Sequence, residues 1–184
     1  MLPQFSAQEV TLRLIVELER RRSELVADEA LTRKTVGDAL AELRSEYAEA
    51  ELPPAYFQRL EQKLEETLPE RWRLVAAPYT ERERRDFHLW RGGDVVARLS
   101  YVFLGLALGG LCVELPFIPI WEKWFPFALA LAAWWLPDAQ VRFHQRHYAR
   151  RLGAIARQAA ALQPQLEATV TVESLLGNGQ ESHE

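Results

Sequence analysis

Apolar residues recur at helical spacing through the first third of the chain. Between Ser6 and Val26, Val10, Leu14, Ile15, Leu18 and Leu25 fall on one stripe and the run Arg20-Arg21-Arg22 on the wet side, which predicts an amphipathic helix. Thr35-Val36-Gly37-Asp38 has the Thr-x-x-Asp form of a helix start and opens a second stripe of Val36, Leu40, Leu43 and Tyr47, closed by Leu52-Pro53-Pro54. Proline is tolerated in a first helical turn, so a third helix starts there and runs to about Leu68 with Phe57, Leu60 and Leu64 facing inward. Three such stripes can share a core or close onto a partner.

After Pro69 the period changes. Arg71 to Ala77 reads as a strand, and Phe87 to Trp90 and Val95 to Leu99 flank Arg91-Gly92-Gly93-Asp94, the pattern of a β-hairpin within residues 85–99. Thr169 to Glu173 alternates as a weaker strand would. Leu152, Ile155, Ala159, Leu162 and Leu166 step by three and four, a short coiled-coil seam that predicts an amphipathic helix over 142–168, followed by a polar, flexible tail over 169–184.

The middle of the chain is different in kind. From Leu99 to Ile120 the sole acid is Glu114, a stretch of 22 residues where about 20 are needed to cross a bilayer. Trp121-Glu122-Lys123-Trp124 interrupts it with two charges framed by tryptophans, as at a membrane interface. The second apolar run, Phe125 to Leu136, has 12 residues and reaches only about 18 Å, so it needs Trp121 to Phe143, with a kink at Pro137, to cross. The alternatives are a hairpin that dips in and returns, and an apolar hairpin buried in a soluble core. The expected fold is thus mostly α: a two-helix transmembrane hairpin over 97–141, an N-terminal helical module over 1–96 with room for the small β-hairpin, and the C-terminal amphipathic helix. Arginines flank both ends of the hairpin, which predicts an integral membrane protein with both termini cytoplasmic.

Composition narrows the function classes. The 184 residues allow one compact domain plus an apolar segment, or two small domains. Residues 1–96 carry 15 Lys/Arg against 19 Asp/Glu, so the polar module lacks the basic balance a nucleic-acid partner needs. Asp138 to Arg157 is the reverse, with five arginines against one acid. The single Cys112 excludes an intrachain disulfide or a cysteine-based zinc site, and Met1 to Val10 is polar, unlike a signal peptide.

Candidate chemistry is sparse. Glu114, with Lys123 in reach, is a candidate ion or pore-mouth acid, or a paired interfacial one, about 24 Å along a helix from Arg98. Gly105, Gly109 and Gly110 form a small-residue face suited to helix packing, within the hairpin or between copies. Arg142, Arg146, Arg150 and Arg151 suit contact with anionic lipid headgroups. His144 and His147, with His88, lack a carboxylate or cysteine at recognised metal spacing, and no cofactor loop or catalytic motif occurs, so no cofactor and no enzyme activity are expected. The expected function is a membrane-anchored scaffold or adaptor, or an accessory subunit of a larger membrane complex. Its expected partners are membrane lipids, a protein bound through the N-terminal helices, and further copies of itself, with no nucleic acid. The alternative is a small oligomeric ion channel or transporter subunit with Glu114 at the pore mouth.

Overall fold

The structure, a computed structural model, describes residues 3–52, 54–87, 95–113 and 124–178. Among these there are six α-helices and one short 3-10 turn, Pro3–Phe5: α1 (Ala7–Arg20), α2 (Arg22–Leu25), α3 (Glu29–Glu49), α4 (Pro54–Arg85), α5 (Val95–Val113) and α6 (Phe125–Asn178). The chain divides into two compact units, one of Met1–Thr80 with Tyr148–Glu184 and one of Glu81–His147.

The first unit is built on the three stripes read from the sequence. Val10, Leu14, Ile15, Leu18, Leu25, Val36, Leu40, Leu43, Tyr47, Phe57, Leu60 and Leu64 are all buried in one cluster. Each such side chain withdrawn from water contributes about 2 kcal/mol before conformational entropy is counted. The rings of Phe5 and Phe57 pack on Tyr47 with centroids 5.1 and 4.9 Å away. Ser6 caps α1 by accepting from the Glu9 amide, and Asp28 caps α3 by accepting from the Leu31 amide. Two features sharpen the helical reading. α1 stops at Arg21 and a single turn, α2, follows. α3 begins at Glu29, well before Thr35, whose hydroxyl donates instead to the Leu31 carbonyl at 2.8 Å inside the helix. The buried Thr32 hydroxyl donates to the carbonyls of Leu25 and Asp28 at 2.6 and 2.8 Å, satisfying backbone groups at the α2–α3 turn.

α4 does not end at Leu68. It passes through Pro69 and Pro78 to Arg85, so Arg71 to Ala77 is helix and not strand. The side chains of Leu64, Leu68, Trp72, Ala76 and Thr80 are buried at steps of four, a helical stripe that outweighs the local strand composition. Pro69 removes one helical donor, whose acceptor would be the carbonyl of Glu65, a residue exposed to water. The stripe is completed by Tyr148, Ile155, Leu152 and Leu166 of α6, which bring the predicted seam onto the same core.

The second unit holds α5 and residues 125–147 of α6 as an antiparallel pair. A Cβ on Gly105 would stand 3.1 Å from the Ala133 Cβ and the Leu129 carbonyl, and one on Gly109 would stand 2.4 Å from the Pro126 Cα. The two backbones therefore approach at these glycines. Toward the other end, Arg98 Nη2 donates to both carboxylate oxygens of Asp138 at 3.1 Å, and its guanidinium lies 5.4 Å from the Trp134 ring centroid.

These observations correct the expected fold. No helix among the described residues is long and apolar enough to cross a membrane, which overturns the transmembrane hairpin and the integral membrane placement with cytoplasmic termini. Arg98 sits in the first turn of α5, tied to Asp138, so the uncharged described part of that helix is 99–113, about 22 Å against a bilayer core of about 30 Å. The apolar start of α6 is shorter still and gives way to Asp138. A pore built around Glu114 has no spanning helix among the described residues. The β-hairpin is corrected too. Val95 to Leu99 forms the start of α5, residues 88–94 lie outside the described residues, and no strand occurs among the described residues. Thr169 to Glu173 continues α6 and finds no sheet edge to join, and an isolated strand has nothing to pair its backbone groups with.

Candidate functional site

The first unit keeps its large apolar side chains inside. Among its described side chains, which run to Ala168, Val16 and Leu74 are the large apolar ones strongly exposed. The second unit does the opposite. α5 exposes Phe103, Leu104, Leu108 and Leu111, α6 exposes Phe127, Leu131, Trp135 and Leu136, and Trp124 just before α6 is exposed too, with Phe103 at 67% and Leu131 at 69% of full exposure. A helix apolar on all sides is normally buried, and folded monomers rarely expose a contiguous apolar patch beyond a few hundred Å².

One side of the α5–α6 pair is a groove of about 250 Å³ lined by Tyr101, Leu104, Gly105 and Leu108 of α5 and by Leu129, Ala132, Ala133 and Leu136 of α6. Its lining carries no charge, and its one polar side-chain atom, the Tyr101 hydroxyl, donates to Gln140 Oε1 at 3.4 Å. The sequence supplies this relief through its steps of three and four. Tyr101, Leu104, Leu108 and Leu111 share one face of α5, and Leu129, Ala132 and Leu136 share one face of α6.

A second arrangement of side chains, in the first unit, was not foreseen from the sequence. Glu19 Oε1 accepts from the Trp72 indole at 2.9 Å and from the Tyr148 hydroxyl, while Glu19 Oε2 pairs with Arg22 at 3.2 Å. The Tyr79 and Tyr148 rings stack 3.9 Å apart, with the Arg22 guanidinium 4.8 Å from the first centroid and 5.5 Å from the second. Burial, and then the bond to Glu19, push the Tyr148 phenol well above its ordinary range. With its proton held, Tyr148 is a donor to Glu19, and the network ties α1, α4 and α6 together within this unit. One signal could have found it. Tyr148 lies four residues before Leu152 and extends the Leu152–Leu166 seam by one helical step. Glu61, which is buried, is likewise occupied, by Arg44.

The residues singled out from the sequence are dispersed. Gly105 and Gly109 face α6 within the unit, whereas a Cβ on Gly110 would meet nothing within 4 Å. Arg142, Arg146, Arg150 and Arg151 are all exposed, and Glu114 and Lys123 lie outside the described residues. His144 and His147 contact the ring of Phe143. The His144 imidazole is pushed below its ordinary range by burial and next by the Arg82 charge. No group of three metal-ligating side chains occurs among the described residues. The apolar stripes of α1, α3 and α4, read as sharing a core or closing onto a partner, form the first unit's own core. No protein family matches the chain, and no curated protein or solved structure was found to be similar to it.

Proposed function

We propose that the protein is a non-catalytic helical scaffold or adaptor that acts by association, with the apolar surface of the second unit as its contact surface. One observation carries this reading: α5 and the first half of α6 expose large apolar side chains on several sides, while the first unit encloses nearly all of those among its described side chains, up to Ala168. Two carboxylates that could have served in chemistry, half-buried Glu19 and buried Glu61, are held by partners of their own. Association of this kind works by raising local concentration and not by transforming a substrate. An accessory or assembly subunit of a larger complex is the same reading with a different protein on the surface.

The test is the mass of the chain purified without detergent, together with chemical cross-linking in the cells that make it. The chain is expected in an assembly heavier than its 21.2 kDa, alone or with a stoichiometric protein partner. Replacing Phe103, Leu131 and Trp135 by glutamate should dissolve the assembly at unchanged helical content. A lone 21.2 kDa chain in both measurements would overturn the proposal.

A further inference from the structure

The contact surface proposed above changes chemistry along its length, and we infer that its partner is an anionic lipid surface, on which the α5–α6 pair lies lengthwise from one side without crossing. The inference rests on the reading of this apolar surface as a contact surface and names what it meets.

Three observations select lipid. The first is how far around the pair the apolar surface reaches. Gly105 and Gly109 are the only buried residues among those described in α5, and from Leu99 to Leu111 every other one is exposed or half-buried and none is charged. A folded protein covers one side of such a helix, whereas acyl chains conform to most of it. The second is a change along one face of α6. Ala132, Leu136, Ala139, Phe143 and Arg146 follow steps of four and three and are all exposed, as are Leu131, Trp135, Ala139 and Arg142 in the adjoining row. Both rows are apolar for two turns or more and end on an arginine, whose stem can follow the apolar surface while its guanidinium stays in water. The third is charge complementarity. Arg98 is held by Asp138, but Arg142 and Arg146 make no hydrogen bond or ion pair among the described residues. The chain is net −4, yet Asp138 to Arg157 carries five arginines against one acid, so an extended anionic surface is drawn to this stretch and away from the acidic remainder.

Charge also sets the orientation. Along the sequence the apolar block is bounded by Arg98 and Asp138 and, beyond Val113, by Glu114, Glu122 and Lys123. A pair pointing into the bilayer would carry charge into hydrocarbon, so the helices lie along the surface, sunk by the roughly 5–10 Å usual for interfacial helices.

The test is flotation of the full chain with vesicles of phosphatidylcholine alone or with roughly 30 mol% phosphatidylserine. The anionic vesicles should bind at least tenfold more tightly, and less so as salt is raised. Arg142→Gln with Arg146→Gln should lower that affinity about 30-fold, at about fivefold for each basic side chain near an anionic surface. Arg20→Gln with Arg21→Gln, the same loss of charge in the first unit, should leave it within about threefold. Leu104→Ser with Leu136→Ser should weaken binding to both vesicles at least tenfold. Because these variants could fail to fold, a second measurement places an environment-sensitive dye on Leu136→Cys or Glu66→Cys in a Cys112→Ser background. Anionic vesicles should shift the first dye to the blue and leave the second unchanged.

A chain that ignores both vesicles, or binds them equally, would overturn the inference. So would equal losses from the two arginine pairs, or a dye at residue 136 that stays in water. A chain that ignores vesicles but forms the heavier assembly with a protein partner would leave the association reading standing, whereas one that ignores vesicles and stays a lone 21.2 kDa chain would remove both.

Discussion

Tyr56 and Tyr148 show how single residues in the first unit acquire properties that their neighbours impose. Burial, and then the Glu167 carboxylate, push the Tyr56 phenol up to about 12, and Tyr148 is raised by burial and by its bond to Glu19. A free phenol titrates near 10, so both groups hold their protons longer in the folded chain than in the unfolded one. Their contribution to stability is therefore complete below about pH 10 and is lost as pH rises from there through about 12, the folded value of Tyr56. Melting temperature followed from pH 8 to 12 should fall steeply above about pH 10, and less steeply when both tyrosines are replaced by phenylalanine. Equal slopes would remove the phenols from the account. At this scale the sequence was informative about burial and silent about pairing. The apolar stripes named the core residues of α1, α3 and the start of α4, because a periodic pattern reports which way a side chain faces. The meeting of Glu19, Trp72, Tyr79 and Tyr148 depends on three helices distant in sequence; the seam spacing could place Tyr148 on the core face, but no local pattern encodes its partners.

Among the elements, α4 and α5 show where local signals mislead. Pro69 and the Trp-Arg-Leu-Val run after it suggested an ended helix and a strand, yet the four-residue steps from Leu64 to Thr80 continue through the proline and give the helix its buried face. Val95 and Val96 suggested a strand after Gly92-Gly93, yet they open α5 as exposed residues, since the strand preference of a β-branched residue is weak and the chain behind them continues as helix. The apolar block itself was found correctly from composition. Its reading as a membrane span failed on length, once Arg98 was seen paired to Asp138. Within α5, adjacent glycines have opposite roles and give a sharp prediction. Gly109→Ala would place a methyl 2.4 Å from the Pro126 backbone, so the helices must separate, and a loss of about 1–3 kcal/mol is expected. Gly110→Ala meets open space and should raise stability by about 0.5–1 kcal/mol through the reduced freedom of the unfolded chain. Chemical denaturation of the two variants, compared with the native chain, should show shifts of opposite sign. Two shifts of the same sign would mean that α5 and α6 do not approach at Gly109.

For the molecule as a whole, the division of labour is between a unit that encloses its apolar residues and one that displays them. The first unit takes residues from both ends of the sequence, Met1–Thr80 and Tyr148–Glu184, with the second unit lying between them along the chain. Tyr148 and Ile155 belong to the same core as Leu14 and Trp72, although the stretch from Glu81 to His147 separates them in sequence. A chain cut after His147 should lose both the Tyr148–Glu19 bond and the seam around Ile155, and should melt at a markedly lower temperature than the full chain. Adding a peptide of residues 148–178 in trans should recover part of the difference, and an unaltered melting curve after the cut would remove α6 from the core. This interleaving also sets an order of events during synthesis. The ribosome delivers α1 to α4 first and the apolar pair next, so the leading helices stay incompletely closed until Tyr148 and the seam behind it have emerged. In that interval the nascent chain displays both an unfinished core and a greasy hairpin, and it is then that its dependence on chaperones should be greatest.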